Sequence, residues 1–74
     1  MLLIDLKKGD EARIIKIDAD KALKDRLRSF GVMRGETLNV KGCSLGKQTI
    51  EIEVGATLLA LRAEEAQKIE IEKI

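Results

Sequence analysis

The stretch that decides the fold is Gln48-Thr49-Ile50-Glu51-Ile52-Glu53-Val54-Gly55, followed after Ala56 by Thr57-Leu58-Leu59-Ala60-Leu61-Arg62. Ile50, Ile52 and Val54 alternate with Thr49, Glu51 and Glu53, the period-two pattern of a strand with one buried face. Gly55 turns the chain into a second extended segment that is apolar on both sides. Leu58 and Leu59 are neighbours there, so their side chains point to opposite faces. A small barrel has one interior, so one of the two leucines lies outside it. It is then covered by a helix or the N-terminal turn, or left open for a partner.

Working upstream, Thr37-Leu38-Asn39-Val40-Lys41 alternates in the same way, with Leu38 and Val40 inward, and Gly42 to Lys47 reads as a loop. Asp20 to Phe30 reads as a helix: Asp20 or Asp18 caps it, and Ala22, Leu23, Leu27 and Phe30 form the buried stripe. Gly31 stops it, with Val32 folding back onto Leu27, and Phe30 is expected to anchor the helix to the sheet. Ala12-Arg13-Ile14-Ile15-Lys16-Ile17 reads as a strand, with Arg13, Ile15 and Ile17 sharing one side. Asp5 to Asp10 reads as a helical turn opened by Asp5 and closed by Gly9. Downstream, Ala63 to Lys68 is a short helical turn with acids at its start, and Ile69-Glu70-Ile71-Glu72 alternates again. Five strands from 74 residues are too few for a sandwich, and rolling them into a barrel removes the exposed edges. The expected fold is therefore mainly β, a small five-stranded barrel with one inserted α-helix, as a single domain over residues 1–74. The expected radius of gyration is roughly 11 Å.

Composition narrows the chemistry. Lys and Arg number 14 against 13 Asp and Glu, a formal charge of +1; His, Trp, Tyr and Pro are absent, and there is one Phe and one Cys. Without His the chain has no side chain that titrates near neutrality unperturbed, no His-based triad and too few ligands for a structural zinc. An enzyme is not expected, nor a metal site or cofactor. No glycine-rich phosphate loop occurs, since Gly42 to Lys47 leads into a strand. A nucleic-acid binder would show a basic excess and stacking aromatics, so none is expected as a partner. No apolar run reaches the roughly 18 residues that span a bilayer, and Met1-Leu2-Leu3-Ile4 is cut short by Asp5, so neither membrane insertion nor secretion is expected. The lone Cys43 fits a reducing, cytoplasmic setting and reads as a loop residue packing as a small hydrophobe. Glu51 and Glu53 read as a solvated face that discourages edge pairing. Among the cations, Arg26 reads as a structural clamp between helix and barrel, and Arg34 as a turn residue beside a contact surface.

Three segments in order resemble a known family. Arg26-Leu27-Arg28-Ser29-Phe30-Gly31-Val32-Met33-Arg34-Gly35-Glu36-Thr37-Leu38-Asn39-Val40 is similar to the pattern R-L-x-x-[LF]-G-[LIV]-x-x-G-x-x-[LIV]-x-V. Leu58 to Ile69 is similar to L-A-L-R-x-x-E-A-x-x-I, and Leu3 to Gly9 to an opening that ends L-x-x-G. The family is FeoA, the small cytosolic protein of bacterial ferrous iron uptake. The resemblance implies an SH3-like barrel with a helix inserted after the first strand. It also implies a partner: FeoB, the membrane ferrous iron transporter with a cytosolic GTPase domain, on which the protein would sit peripherally at the inner membrane. The chain departs from the family at Cys43 to Gln48, which replaces a G-D-P turn and places Lys47 where an acid is usual.

The aliphatic surplus and this resemblance together nominate a contact surface made of Leu2, Leu3, Met33, Arg34, Leu45, Lys47, Leu58 and Leu59. An exposed leucine also suffices for weak self-association, so a homo-oligomer is a further expectation. Two other readings of the same barrel are a regulatory domain of the kind found at the C-terminus of metal-dependent repressors, and a small nucleic-acid-binding barrel.

Overall fold

The computed structural model describes residues 1–74, and its elements start and stop where local chemistry requires. The strands are β1 (Glu11–Ile17), β2 (Thr37–Cys43), β3 (Thr49–Val54), β4 (Thr57–Arg62) and β5 (Ile69–Lys73). The helices are α1 (Lys21–Ser29) and α2 (Ala63–Ala66), and single 3-10 turns occupy Leu3–Asp5 and Leu45–Lys47. No helix is long and apolar enough to cross a membrane.

All five strands form one antiparallel sheet in the order β4-β3-β2-β1-β5. Irregularities between Ile14 and Lys16 in β1, and between Val40 and Gly42 in β2, bend the sheet so that it curls into the expected small SH3-like barrel. β4 and β5 make no ladder with each other. The seam between them is bridged by α2, whose Ala66 is buried. The free side of β5 is covered by the chain's first residues: Leu2 bridges Glu70, and the Ile71 N–H donates to the Met1 carbonyl at 2.8 Å.

Fifteen buried residues, all apolar, form one core, drawn from every strand and from Leu27 of α1. No polar side chain is buried, so hydrophobic burial carries the fold without any internal ion pair. The radius of gyration is 10.7 Å, close to the value expected from chain length.

Helix α1 is built as its sequence indicates at both ends. Asp20 accepts from the Leu23 N–H at 2.9 Å. Gly31, at φ 86°, donates to the Arg28 carbonyl, and the Val32 N–H reaches back to the Leu27 carbonyl, both at 2.9 Å. These two bonds make the Schellman closure.

Four details differ from the expectation. The reversal at Gly31 sends Val32, not Phe30, into the core, and Phe30 is 43% exposed at the helix end. Ala22 is exposed as well, so α1 is held by Leu27 with Leu23 partly buried beside it. Asp5 closes the first turn instead of opening it, and its carboxylate accepts from the Leu2 N–H at 3.2 Å. The reason is spacing: a 3-10 turn brings Leu3 and Leu6 to the same side, and both are fully buried. Finally, β2 runs two residues beyond Lys41, so Cys43 is an exposed strand-end residue and not part of the loop.

Candidate functional site

The eight residues nominated from sequence do not gather on one face. Leu3 is 0% exposed and belongs to the core, so it is not part of any contact surface. Lys47 also has a structural role: its ammonium donates to the carbonyls of Ile4 at 3.2 Å and Leu6 at 3.3 Å, tying the loop after β2 to the N-terminal turn. Lys47 holds a left-handed φ of 54°, and these two bonds stabilise that conformation. Leu45, in the same loop, is 99% exposed. Leu2 lies on the open side of β5. On β4, the interior takes Leu61 and part of Leu59, which leaves Leu58 outside at 58% exposure with no helix over it. Leu59 instead lines a shallow cleft with Phe30 and Arg26 of the α1 segment.

Met33 and Arg34 are the two nominees that the fold places in a concave site. Their turn is fixed by geometry: the Glu36 N–H donates to the Met33 carbonyl at 3.1 Å, and Gly35 supplies the φ of 92° that the third turn position needs. The turn is fastened to the middle of β1, since the Ile14 N–H donates to Glu36 and the Gly35 N–H to Ile14, each at 2.8 Å. Met33 thereby comes beside the outward side of β1, where Ile15 is partly exposed and Ile17 partly buried.

The result is a groove of about 520 Å³ between β1 and α1. Its apolar side is Ile15, Ile17 and Met33, with Val32, which belongs to the core, also lining it. Its rim is cationic: Lys16 from β1, Lys24 and Arg28 one helical turn apart on α1, and Arg34 from the turn. Glu70, opposite Lys16 in the β1–β5 ladder, is the single acid. Sequence reading missed the groove because its cations are scattered from Lys16 to Arg34, interleaved with Asp18, Asp20 and Asp25. The available signal was Ile15 and Ile17 on the outward side of an otherwise well-alternating strand.

The molecule's four ion pairs are Arg26–Glu65, Lys41–Glu53 at 3.6 Å, Arg62–Glu64 at 3.9 Å and Lys73–Asp10 at 3.4 Å. None involves a groove cation. Arg26 does clamp α1, but to α2 and not directly to the sheet, through its bond to Glu65. Burial pushes the Glu65 carboxyl up, but the Arg62 N–H and the Arg26 guanidinium outweigh it and hold the group below the usual carboxylate range. Asp10 is held low chiefly by the Lys7 N–H, with Lys73 adding to it against some desolvation. Both carboxyls stabilise the framework and lie outside the groove. With cations around an apolar side, the groove is equipped to bind; it brings together no nucleophile and base.

Residues 1–73 match the family described as the FeoA domain. A Campylobacter jejuni protein carrying the name Fe(2+) transport protein A is 39% identical over 74 residues, the whole of both chains. A Porphyromonas gingivalis protein, named as a fusion of Fe(2+) transport protein A with the Fe(2+) transporter FeoB, is 30% identical over 74 residues, all of this chain and 9% of that one. The solution structure of FeoA from Chlorobium tepidum superposes with a TM-score of 0.93 at 32% identity, covering all of this chain and 70% of the other. A manganese-dependent transcriptional repressor, at a TM-score of 0.90 and 22% identity over 99% of this chain and 40% of its own, shares the fold alone.

Proposed function

The chain belongs to the FeoA family, whose members are small accessory proteins of iron transport and not enzymes, and from that premise we propose that it docks on the cytosolic part of a FeoB-type ferrous iron transporter and modulates it. One observation carries the reading: in Porphyromonas gingivalis a segment matching this chain from end to end shares a polypeptide with the transporter. Covalent linkage keeps two modules at high effective concentration, an arrangement that serves partners working together. The surface supports docking in its own right, since it offers exposed apolar side chains in several places over a core that needs none of them. Modulation then means that the protein contacts one transporter state better than another, because a ligand shifts an equilibrium only by its differential affinity.

The test is a binding measurement between this protein and the isolated cytosolic region of the transporter, with GTP and with GDP, and then with the full-length membrane protein. Saturable binding that differs between nucleotide states is the expected result. Absence of binding in both states and to the intact transporter overturns the reading.

A further inference from the structure

We propose that the groove between β1 and α1 is the docking site, and that its occupant is an acidic peptide segment of the partner, anchored by apolar side chains and flanked by carboxylates. This rests on the docking reading above and specifies where and by what chemistry docking occurs.

Charge distribution carries the argument. The chain as a whole has a net charge of +1. The groove has four cations and one carboxylate, a local charge of +3, so the rest of the molecule carries −2. Lys16, Lys24, Arg28 and Arg34 are in no ion pair, and they share one concavity with a single carboxylate, Glu70. Four unpaired cations converging on one concavity repel one another and attract a polyanion. The apolar side decides the class of polyanion. Ile15 and Met33 are 37% and 38% exposed and line the groove, where the apolar side chains of a peptide can seat against them. Methionine adapts its shape to an entering side chain at little cost. The partner segment thus supplies apolar residues to that side and Asp or Glu to the rim.

The same geometry separates anchoring from steering. The rim residues Lys24 and Arg28 on α1 are exposed while Leu27 alone of that helix is buried, so their charge can be reversed without replacing a core side chain. The double variant Lys24→Glu/Arg28→Glu should bind the transporter's cytosolic region at least about tenfold more weakly, with a flatter dependence on salt. Lys8→Glu/Lys41→Glu makes the same change in net charge away from the groove and should bind as the wild type does. Met33→Ser should weaken binding with the salt dependence unaltered. Backbone amide shifts of the wild-type protein, titrated with the same cytosolic region, should concentrate at residues 15–17, 24–28 and 32–34, a readout that needs no variant to fold.

Four results overturn the proposal. Binding that persists in Lys24→Glu/Arg28→Glu, or shifts that map to β4 around Leu58, removes the groove and leaves docking itself standing. No wild-type binding in either nucleotide state or to the intact transporter removes both. Capture of the wild type by phosphatidylglycerol vesicles, lost in Lys24→Glu/Arg28→Glu while partner affinity is unchanged, assigns the groove to anionic lipid instead.

Discussion

Single residues outside the core hold the ends of this small protein together, and two of them make sharp predictions. Glu65 accepts from the Arg62 N–H at 3.0 Å and from Arg26, so it both caps α2 and pins α1 to it. Half-exposure of Arg26 keeps the ionic part modest, and Glu65→Gln is expected to cost about 1 kcal/mol at neutral pH. Because the folded carboxyl titrates below its unfolded value, this stability is fully present above the unfolded pKa, roughly 4.3, and is lost as pH falls through the folded one. Urea unfolding of wild type and variant should therefore converge in acid; a gap that stays constant with pH would show that the charge plays no part. Lys47 bridges two carbonyls of the N-terminal turn, and Lys47→Met should lower stability by about 1–2 kcal/mol, read as a fall in melting temperature of roughly 4–8 °C per kcal/mol. An unchanged melting temperature would leave these bonds without energetic weight. Sequence suggested Arg26 as a clamp on α1 but not its partner, Glu65 of α2, which lies 39 positions away. It did not show Lys47 as a brace: the carbonyls it serves lie more than 40 positions away, and nothing local marks a backbone acceptor as needing a donor.

At the scale of elements, α1 is attached by very little. Leu27 is its one fully buried residue, and Leu27→Ala should cost about 3 kcal/mol, with hydrogen exchange accelerated throughout α1. Gly31 at φ 86° has open space where a Cβ would sit, with only Val54 in reach at 4.0 Å, so Gly31→Ala tests backbone strain and not crowding. The expected loss is about 1 kcal/mol, measured by thermal unfolding, and a neutral outcome would mean that the closure relaxes freely. Both ends of α1 were legible, since capping signals are local: Asp20 meets a nearby N–H, and Gly31 permits the reversal. The buried stripe was less so. Phe30 falls on the right helical face by spacing, but the chain reverses one residue later and turns that position out to solvent. The two faces of β4 were half legible: adjacency requires one of Leu58 and Leu59 to be outside, and only the pairing of Ile52 with Leu59 opposite the core decides which. The groove between β1 and α1 was not legible, because a strand irregularity after Ile14 and a turn tied to β1 by backbone bonds create it.

For the molecule as a whole, the order of the sheet sets how its parts meet. Along the meander β2-β3-β4, paired residues are close in sequence: Cys43 faces Ile50 and Ile50 faces Leu61. Completing the sheet at its far side joins Ala12 to Lys73, 61 positions apart in the chain. The entropy lost in closing so long a loop is recovered only after both strands have a surface to join. The pairing that places β5 beside β1 is thus the natural late event in folding, with the meander as its template. Ile52→Val in the meander should slow refolding, whereas Ile71→Val in β5 should chiefly speed unfolding; stopped-flow chevrons of the two variants check the order, and the reverse partition would refute it. Until that last strand arrives, Ile14 has no Ile71 across from it, and β1 remains an apolar edge in a chain that is otherwise nearly assembled. The time this barrel spends vulnerable to aggregation is therefore set by the joining of its two most distant strands.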